Sequence, residues 1–256
     1  MYLEAKIISL TFKTNKGSFK ALDNVSIWAE KGEFVCIIGP SGCGKSTLLN
    51  TVAGFIRPDA GEVTINGENV TSPDIRRVMI FQDYGLLPWR TAEKQVQLGL
   101  ESMGVGKKER KEISDKYLDM VGLSGFKDAR PGELSGGQRQ RVAIARALAV
   151  DPDVIYMDEP FGALDAITRM RLQDDFRKLG RKEEKTILFV THDIEEAVYL
   201  ADMIVVMEPD PGHIKGIINI GMGNERDRTS DEFLKARDKV FELFNLKSGR
   251  NIEYYI

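Results

Sequence analysis

Hydrophobic residues along this chain fall in short runs rich in β-branched side chains: "KIISLTF", "NVSIWA", "FVCII", "EVTING", "VMIFQ", "VIYMD", "TILFV" and "MIVVM". Runs of this length bounded by turn-forming and charged residues predict strands. The first few follow one another with little room for helix between them, which predicts a local antiparallel sheet. The later ones alternate with helical spacing, which predicts crossover connections and a largely parallel sheet. "FVCII" and "VIYMD" are apolar at nearly every position, as expected of strands covered on both faces. Between Thr91 and Val150 the period changes. Ile113, Tyr117, Leu118 and Val121 fall at helical spacing, as do Val142, Ala145 and Leu148, so this stretch is a helical insertion. "FKDARPGE" (Phe126 to Glu133) is the loop between its two helical parts, and the mixed-sign "KKERK" is a solvated helix face. Near the end, "GHIKGIINIGM" predicts a strand or hairpin and "DEFLKARDKVFELF" a helix.

Composition narrows the function classes. The chain has 256 residues and a formal charge of −3, with 42% hydrophobic and 29% charged residues. That is an ordinary globular balance, and near-neutral charge argues against a general nucleic-acid binder. The cysteines are two, Cys36 in an apolar run and Cys43 in a glycine-rich turn. They imply no disulfide framework and fit a reducing cytosol. "MYLEAKIISLTF" lacks the pattern of a signal peptide. No apolar run approaches the roughly 20 residues that cross a bilayer, so work at a membrane would need a partner.

"GPSGCGKST" (Gly39, Pro40, Ser41, Gly42, Cys43, Gly44, Lys45, Ser46, Thr47) follows the strand "FVCII" and precedes the helical "TLLNTVAGF". It satisfies G-x-x-x-x-G-K-[ST] in the strand–loop–helix setting that the phosphate loop requires. The glycines let backbone N–H groups curl around an anion, and a helix beginning near Ser46 adds its positive end. Lys45 can reach β- and γ-phosphates, Ser46 can offer its hydroxyl to Mg²⁺, and Thr47 can support the phosphates. The competing reading is a glycine-rich turn with a chance lysine. The motif alone indicates a nucleoside triphosphate and leaves the chemistry open.

In "VIYMDEP" an apolar strand runs into Asp158 and Glu159. Strand alternation is expected to point the two carboxylates apart. Asp158 then suits Mg²⁺, and Glu159 suits a base for the attacking water. The bland alternative is a strand ending in an acidic cap.

"LSGGQRQRVAIARAL", Leu134 to Leu148, resembles the signature segment of the ATP-binding-cassette ATPases. "FGALD" (Phe161 to Asp165) resembles that family's D-loop, "VTHD" (Val190 to Asp193) its switch-histidine region, and Gln82 in "FQD" its Q-loop. These motifs occur in the family's order over nearly the whole chain. Apart from the name, Ser135 followed by Gly136 and Gly137 can cap a helix and expose amides to an anion. The resemblance implies a P-loop NTPase α/β fold: a mixed, largely parallel sheet, an N-terminal antiparallel β subdomain and an inserted α-helical subdomain. It divides the one ATPase domain into a nucleotide-binding core with β subdomain (about 1–90 and 151–220), a helical signature subdomain (91–150) and a C-terminal helical extension (221–256).

The resemblance also implies two cassettes sandwiching two ATP molecules head to tail. Ser135, Gly136, Gly137 and Gln138 then face the γ-phosphate held by the other subunit, and Asp165 couples the two sites. His192 touches the γ-phosphate and helps fix the water, while Gln82 contacts Mg²⁺ and water. Phe12 in "SLTF" matches the adenine-stacking position, with Phe19 as the alternative because "KTNKGS" leaves the alignment open. "FQDYGLLPWRTAEKQV" resembles the nitrate, sulfonate, taurine and bicarbonate importer branch, as does "MEPDPGHIKGII", with His213 where an arginine is more usual. The expected protein is the ATPase subunit of an importer for such a small anion. Its expected place is the cytoplasmic face of the membrane, on integral-membrane permease subunits, served indirectly by an extracytoplasmic solute-binding protein. Importers of thiamine precursors or molybdate are the alternatives. A DNA-repair cassette is disfavoured, because the segment between phosphate loop and signature carries no sustained heptad pattern; no nucleic-acid partner is expected. Leu86, Leu87 and Trp89 are expected at the entry to the helical insertion, shared between the joint and a groove for a permease helix.

Overall fold

The computed structural model describes residues 1–14, 17–182, 184–223 and 226–244. In chain order they form β1 (Leu3–Thr14), β2 (Gly17–Ala29), β3 (Phe34–Ile38), α1 (Lys45–Val52), β4 (Ala60–Ile65), β5 (Glu68–Asn69), β6 (Arg77–Ile80) and α2 (Ala92–Ser102). Then follow α3 (Lys107–Met120), α4 (Gly136–Ala149), β7 (Val154–Asp158), α5 (Ala166–Lys182), β8 (Thr186–Thr191), α6 (Ile194–Leu200), β9 (Met203–Glu208), β10 (His213–Asn219) and α7 (Asp231–Leu243). Residues 245–256, the end of the expected C-terminal extension, and Asn15 and Lys16 of "KTNKGS" lie outside the described residues.

Two sheets result. One is antiparallel, in the order β2-β1-β4-β5; the other has the order β10-β9-β3-β8-β7-β6. In the larger sheet β9, β3, β8, β7 and β6 run parallel and only β10 pairs antiparallel. Its apolar strands divide their side chains by parity. Val35, Ile37, Tyr156, Leu188, Val190, Met203 and Val205 face a core shared with the antiparallel sheet and with Leu48 and Val52 of α1. Cys36, Ile38, Ile155, Met157, Ile187, Phe189, Ile204 and Val206 face the opposite core, which the helices cover. Period-2 alternation alone produces this division, and it explains why these strands are apolar without a break.

Helices α2, α3 and α4 pack on one another, and α4 also packs on β6. Thr91 caps α2 by accepting from the Lys94 N–H. Of the apolar positions read at helical spacing, Tyr117, Leu118, Val121, Val142, Ala145 and Leu148 are buried, and Ile113 is half-buried against the same core. Among the described residues no helix is long and apolar enough to cross a membrane.

Candidate nucleotide site

The carboxyl ends of β3, β7 and β8 lie side by side, with β8 between the other two. In an open parallel sheet this end is where ligands bind, and the sequence motifs converge there. β3 leads into the phosphate loop, β7 into Asp158 and Glu159, and β8 into His192.

The loop's conformation needs its glycines. Gly42 and Gly44 have φ of +81° and +94°, a region that disfavours side chains. A Cβ on Gly39 would stand 2.5 Å from the Met207 carbonyl oxygen and 2.7 Å from Cys43 Sγ. α1 begins at Lys45, one residue before the expected start, with Gly44 as an N-cap that has no side chain to offer. The first N–H groups of α1 therefore have no side-chain cap, which is the arrangement that receives a phosphate. Lys45 is buried and curls back over the loop: its Nζ donates to the carbonyls of Gly39 (2.8 Å) and Pro40 (3.0 Å). Cys43 is fully buried, and burial pushes its thiol up. Within the loop it can serve a ligand only through its backbone.

Asp158 and Glu159 do point apart, and the cause differs from strand alternation. β7 ends at Asp158, and Glu159 has φ of +47°, a strained conformation for a glutamate. Asp158 Oδ1 accepts from Ser46 Oγ at 3.0 Å, and burial is the main force raising its carboxyl above the usual range. Glu159 Oε1 stands 3.3 Å from His192 Nδ1. One carboxylate thus serves the phosphate-loop hydroxyl and the other the histidine. Ser46 and Asp158 present one hydroxyl and one carboxylate oxygen side by side. Mg²⁺ in phosphate sites takes such a small protein set and fills its octahedron with water and phosphate oxygens, so the donors suit it.

Gln82 is exposed just beyond the end of β6, which stops at Ile80. The chain after it is held by contacts the sequence did not announce. Tyr84 and Gly85 both have positive φ, 67° and 52°. Arg146 of α4 donates to the carbonyls of Gly85 (2.6 Å) and Tyr84 (2.9 Å). Buried Gln95 of α2 accepts from the Leu87 N–H and donates to the Leu87 and Arg90 carbonyls. Leu86 packs partly into the core, while Trp89 is 69% exposed.

At the start of α4, Ser135 Oγ accepts from the Gln138 N–H and Gln138 Oε1 accepts from the Ser135 N–H, a capping box. A Cβ on Gly137 would lie 3.2 Å from Leu164 Cδ2, and one on Gly136 3.4 Å from Tyr84 Oη. The signature glycines are therefore wedged between the segment after Gln82 and the D-loop residues of the same chain. Asp165 is exposed and accepts from the Thr168 N–H at the start of α5 (3.0 Å). That hydrogen bond and the Thr168 hydroxyl hold its carboxyl below the usual range.

Phe12 and Phe19 are directly opposed across β1 and β2, so their side chains share one face of the ribbon. They are 39% and 52% exposed. Neither is a core residue, and the two candidates for the adenine are neighbours. Just beyond them β2 bulges at Ala21, whose carbonyl accepts from Gly212; a Cβ on Gly44 would come within 3.0 Å of that same oxygen.

A phosphate loop on a parallel sheet, an acidic strand end beside it and a second glycine-led helix start define an ATP-binding cassette. Comparison with known proteins agrees. The ABC transporter family matches residues 22–162, and the chain belongs to that family. An uncharacterized ABC transporter ATP-binding protein of Methanocaldococcus jannaschii is 50% identical over 95% of this chain and 92% of its own. The nitrate import ATP-binding protein of Synechocystis is 43% identical over 99% of this chain and 97% of its own. An aliphatic sulfonates import ATP-binding protein of Bacillus thuringiensis is 44% identical over 93% of each. Among solved structures, a dimeric ATP-binding cassette in a post-hydrolysis state bound to ADP and Pi superposes with a TM-score of 0.80. It has 35% identity and is matched over 86% of this chain and 100% of that one. The chain is thus an ABC transporter ATPase with import ATP-binding proteins among its relatives.

Proposed function

We propose that this chain is the ATP-hydrolysing subunit of an importer for a small anion such as nitrate, a sulfonate, taurine or bicarbonate. It works at the cytoplasmic face of the membrane on permease subunits that carry the spans, and an extracytoplasmic binding protein delivers the solute. The observation that carries this reading is the end-to-end match to a nitrate import ATP-binding protein. The same class of chemistry recurs in the sulfonates import relative.

The residues divide the hydrolytic work. The uncapped α1 N-terminus and the loop amides bind the phosphates, and Lys45 exchanges its two carbonyl partners for phosphate oxygens. Ser46, Asp158 and Gln82 would hold Mg²⁺, which would supply positive charge to the phosphates. Glu159 orients the attacking water and accepts its proton, and His192 at its side fixes the geometry at the γ-phosphate. In a head-to-tail pair, Ser135, Gly136, Gly137 and Gln138 of one subunit complete the site of the other, and the D-loop Asp165 couples the two sites.

The stretch from Gln82 to Trp89 is the mechanical link. One end is at the proposed nucleotide position, its middle is gripped by Arg146 and Gln95, and Trp89 is offered to solvent. A permease helix seated there would feel any movement of the signature helix. The test is uptake by proteoliposomes holding the whole transporter, with nitrate, taurine and bicarbonate offered separately. ATP-dependent uptake of one of them is expected. Uptake of thiamine precursors or molybdate alone would place the chain in another branch.

A further inference from the structure

A chain of polar side chains links α5 to α6 beside the end of β8. Glu196 is buried, and its two oxygens accept from Thr191 Oγ1 (2.5 Å) and Gln173 Nε2 (2.8 Å). Gln173, also buried, accepts in turn from Arg228 Nη2 through its Oε1. The Arg228 guanidinium lies 3.6 Å over the ring of Tyr199, whose hydroxyl donates to Asp174. Thr191 is the residue before His192, and its hydroxyl accepts from the Asp193 N–H (3.1 Å). Asp193 caps α6.

The order of donors and acceptors gives the chain a direction. A carboxylate has acceptors only, so the Gln173 amide must turn its NH₂ to Glu196 and its oxygen outward. Arg228 meets that oxygen and supplies positive charge at one remove from the buried carboxylate. Loss of Arg228 leaves the amide oxygen without its partner and frees the amide to turn away from Glu196, which is expensive in a buried network; the cation that acts on Glu196 itself is Arg169. The Thr191 hydroxyl binds Glu196 on one side and the peptide after His192 on the other, so its position fixes that peptide.

We propose that Arg228 and Gln173 are positioning residues for hydrolysis. Through Glu196 and Thr191 they hold the backbone from which His192 reaches Glu159. The segment after β10 thereby braces the switch histidine, and Gln173 ties that brace to α5, the helix that Asp165 starts. The inference rests on the reading of Glu159 and His192 given above.

The test uses the full chain. Arg228→Met and Gln173→Met are expected to lower kcat about tenfold to a hundredfold, as misplacement of reacting groups does, with KM for ATP within about twofold of wild type. The double variant is expected to be no worse than either single one, because the two act in series. Thr191→Val is expected to share the loss and Thr191→Ser to restore activity, which keeps the test sound if an arginine variant melts early. The chain has two histidines, so NMR can resolve their rings. His192 resonances are expected to shift in Arg228→Met while those of His213 stay fixed. Unchanged kcat in well-folded Arg228→Met and Gln173→Met, additive losses, or an unmoved His192 ring would overturn the inference. His192→Ala separates the two levels. Retained turnover in it removes the hydrolytic reading itself, whereas its loss beside full activity in Arg228→Met removes only the brace.

Discussion

The helix starts of the phosphate loop and of the signature segment are finished differently. α1 begins after Gly44 with no side-chain cap, and Lys45 closes over the loop onto the Gly39 and Pro40 carbonyls. α4 begins at Gly136, after N-cap Ser135, with both halves of a capping box in place. The first start has lone N–H groups that a phosphate can satisfy at once. The second already satisfies its own donors, so a phosphate must displace the exchange between Ser135 and Gln138. This difference suits a site whose near half binds nucleotide alone and whose far half responds only to a nucleotide carried by a second copy.

Lys45→Ala cuts deepest into the near half. It removes the charge proposed to meet the β- and γ-phosphates, and turnover is expected to fall by about 10³ or more, the scale of losing a cationic stabiliser in phosphoryl transfer. Steady-state ATPase assays check this. Ser135→Asp sharpens the far half. Aspartate caps as well as serine, so stability is expected to stay within about 0.5 kcal/mol, while a carboxylate now faces the arriving γ-phosphate. A loss of about 100-fold in hydrolysis with an unchanged melting temperature is expected. Equal hydrolysis would detach the signature from the nucleotide.

Phe12→Ala and Phe19→Ala probe the adenine end, where a lost base–aromatic stack costs about 1–3 kcal/mol. One of the pair is expected to weaken ATP binding accordingly in a calorimetric titration. Unchanged affinity in both would place adenine elsewhere.

The smallest effect concerns Asp158 without nucleotide. Burial raises its folded-state carboxyl above the usual value. A raised carboxyl favours folding below its unfolded pKa and loses that contribution as pH rises through the folded value. At neutral pH the buried charge therefore weighs against the apo fold. Asp158→Asn, whose amide oxygen can still accept from Ser46, is expected to melt a few degrees higher than wild type at neutral pH, with the gap closing as pH falls into the acid range. Melting curves between neutral and acid pH read this directly, and a gap that widens in acid would contradict it.

The sequence made the phosphate loop and the paired apolar strands legible because both rest on local rules. A P-loop needs its glycines and lysine at fixed spacing, and parity in "FVCII" and "VIYMD" carries through to two separate cores. The signature cap is equally local, with Ser135 and Gln138 three residues apart. What stayed hidden is non-local or conformational. The left-handed φ of Glu159, which separates it from Asp158, leaves no mark in composition. Gln173, Glu196 and Arg228 are far apart in sequence, and only tertiary contact joins buried Gln173 and Glu196 to half-buried Arg228. The grip of Gln95 and Arg146 on the loop after Gln82 depends on packing between α2, α4 and β6. The choice between Phe12 and Phe19 looked like an alignment problem; strand register makes them facing neighbours.

The central claim is that one chain supplies half of each nucleotide site. Glu159→Gln should bind ATP while hydrolysing about 10²- to 10⁴-fold more slowly, the usual contribution of a general base. Sedimentation velocity of this variant, with and without ATP and Mg²⁺, is the most direct measurement. The account predicts a monomer without nucleotide, a stable dimer with ATP, and no dimer when Ser135→Asp is added. A variant that stays monomeric at saturating ATP, or that hydrolyses at the wild-type rate, would contradict it.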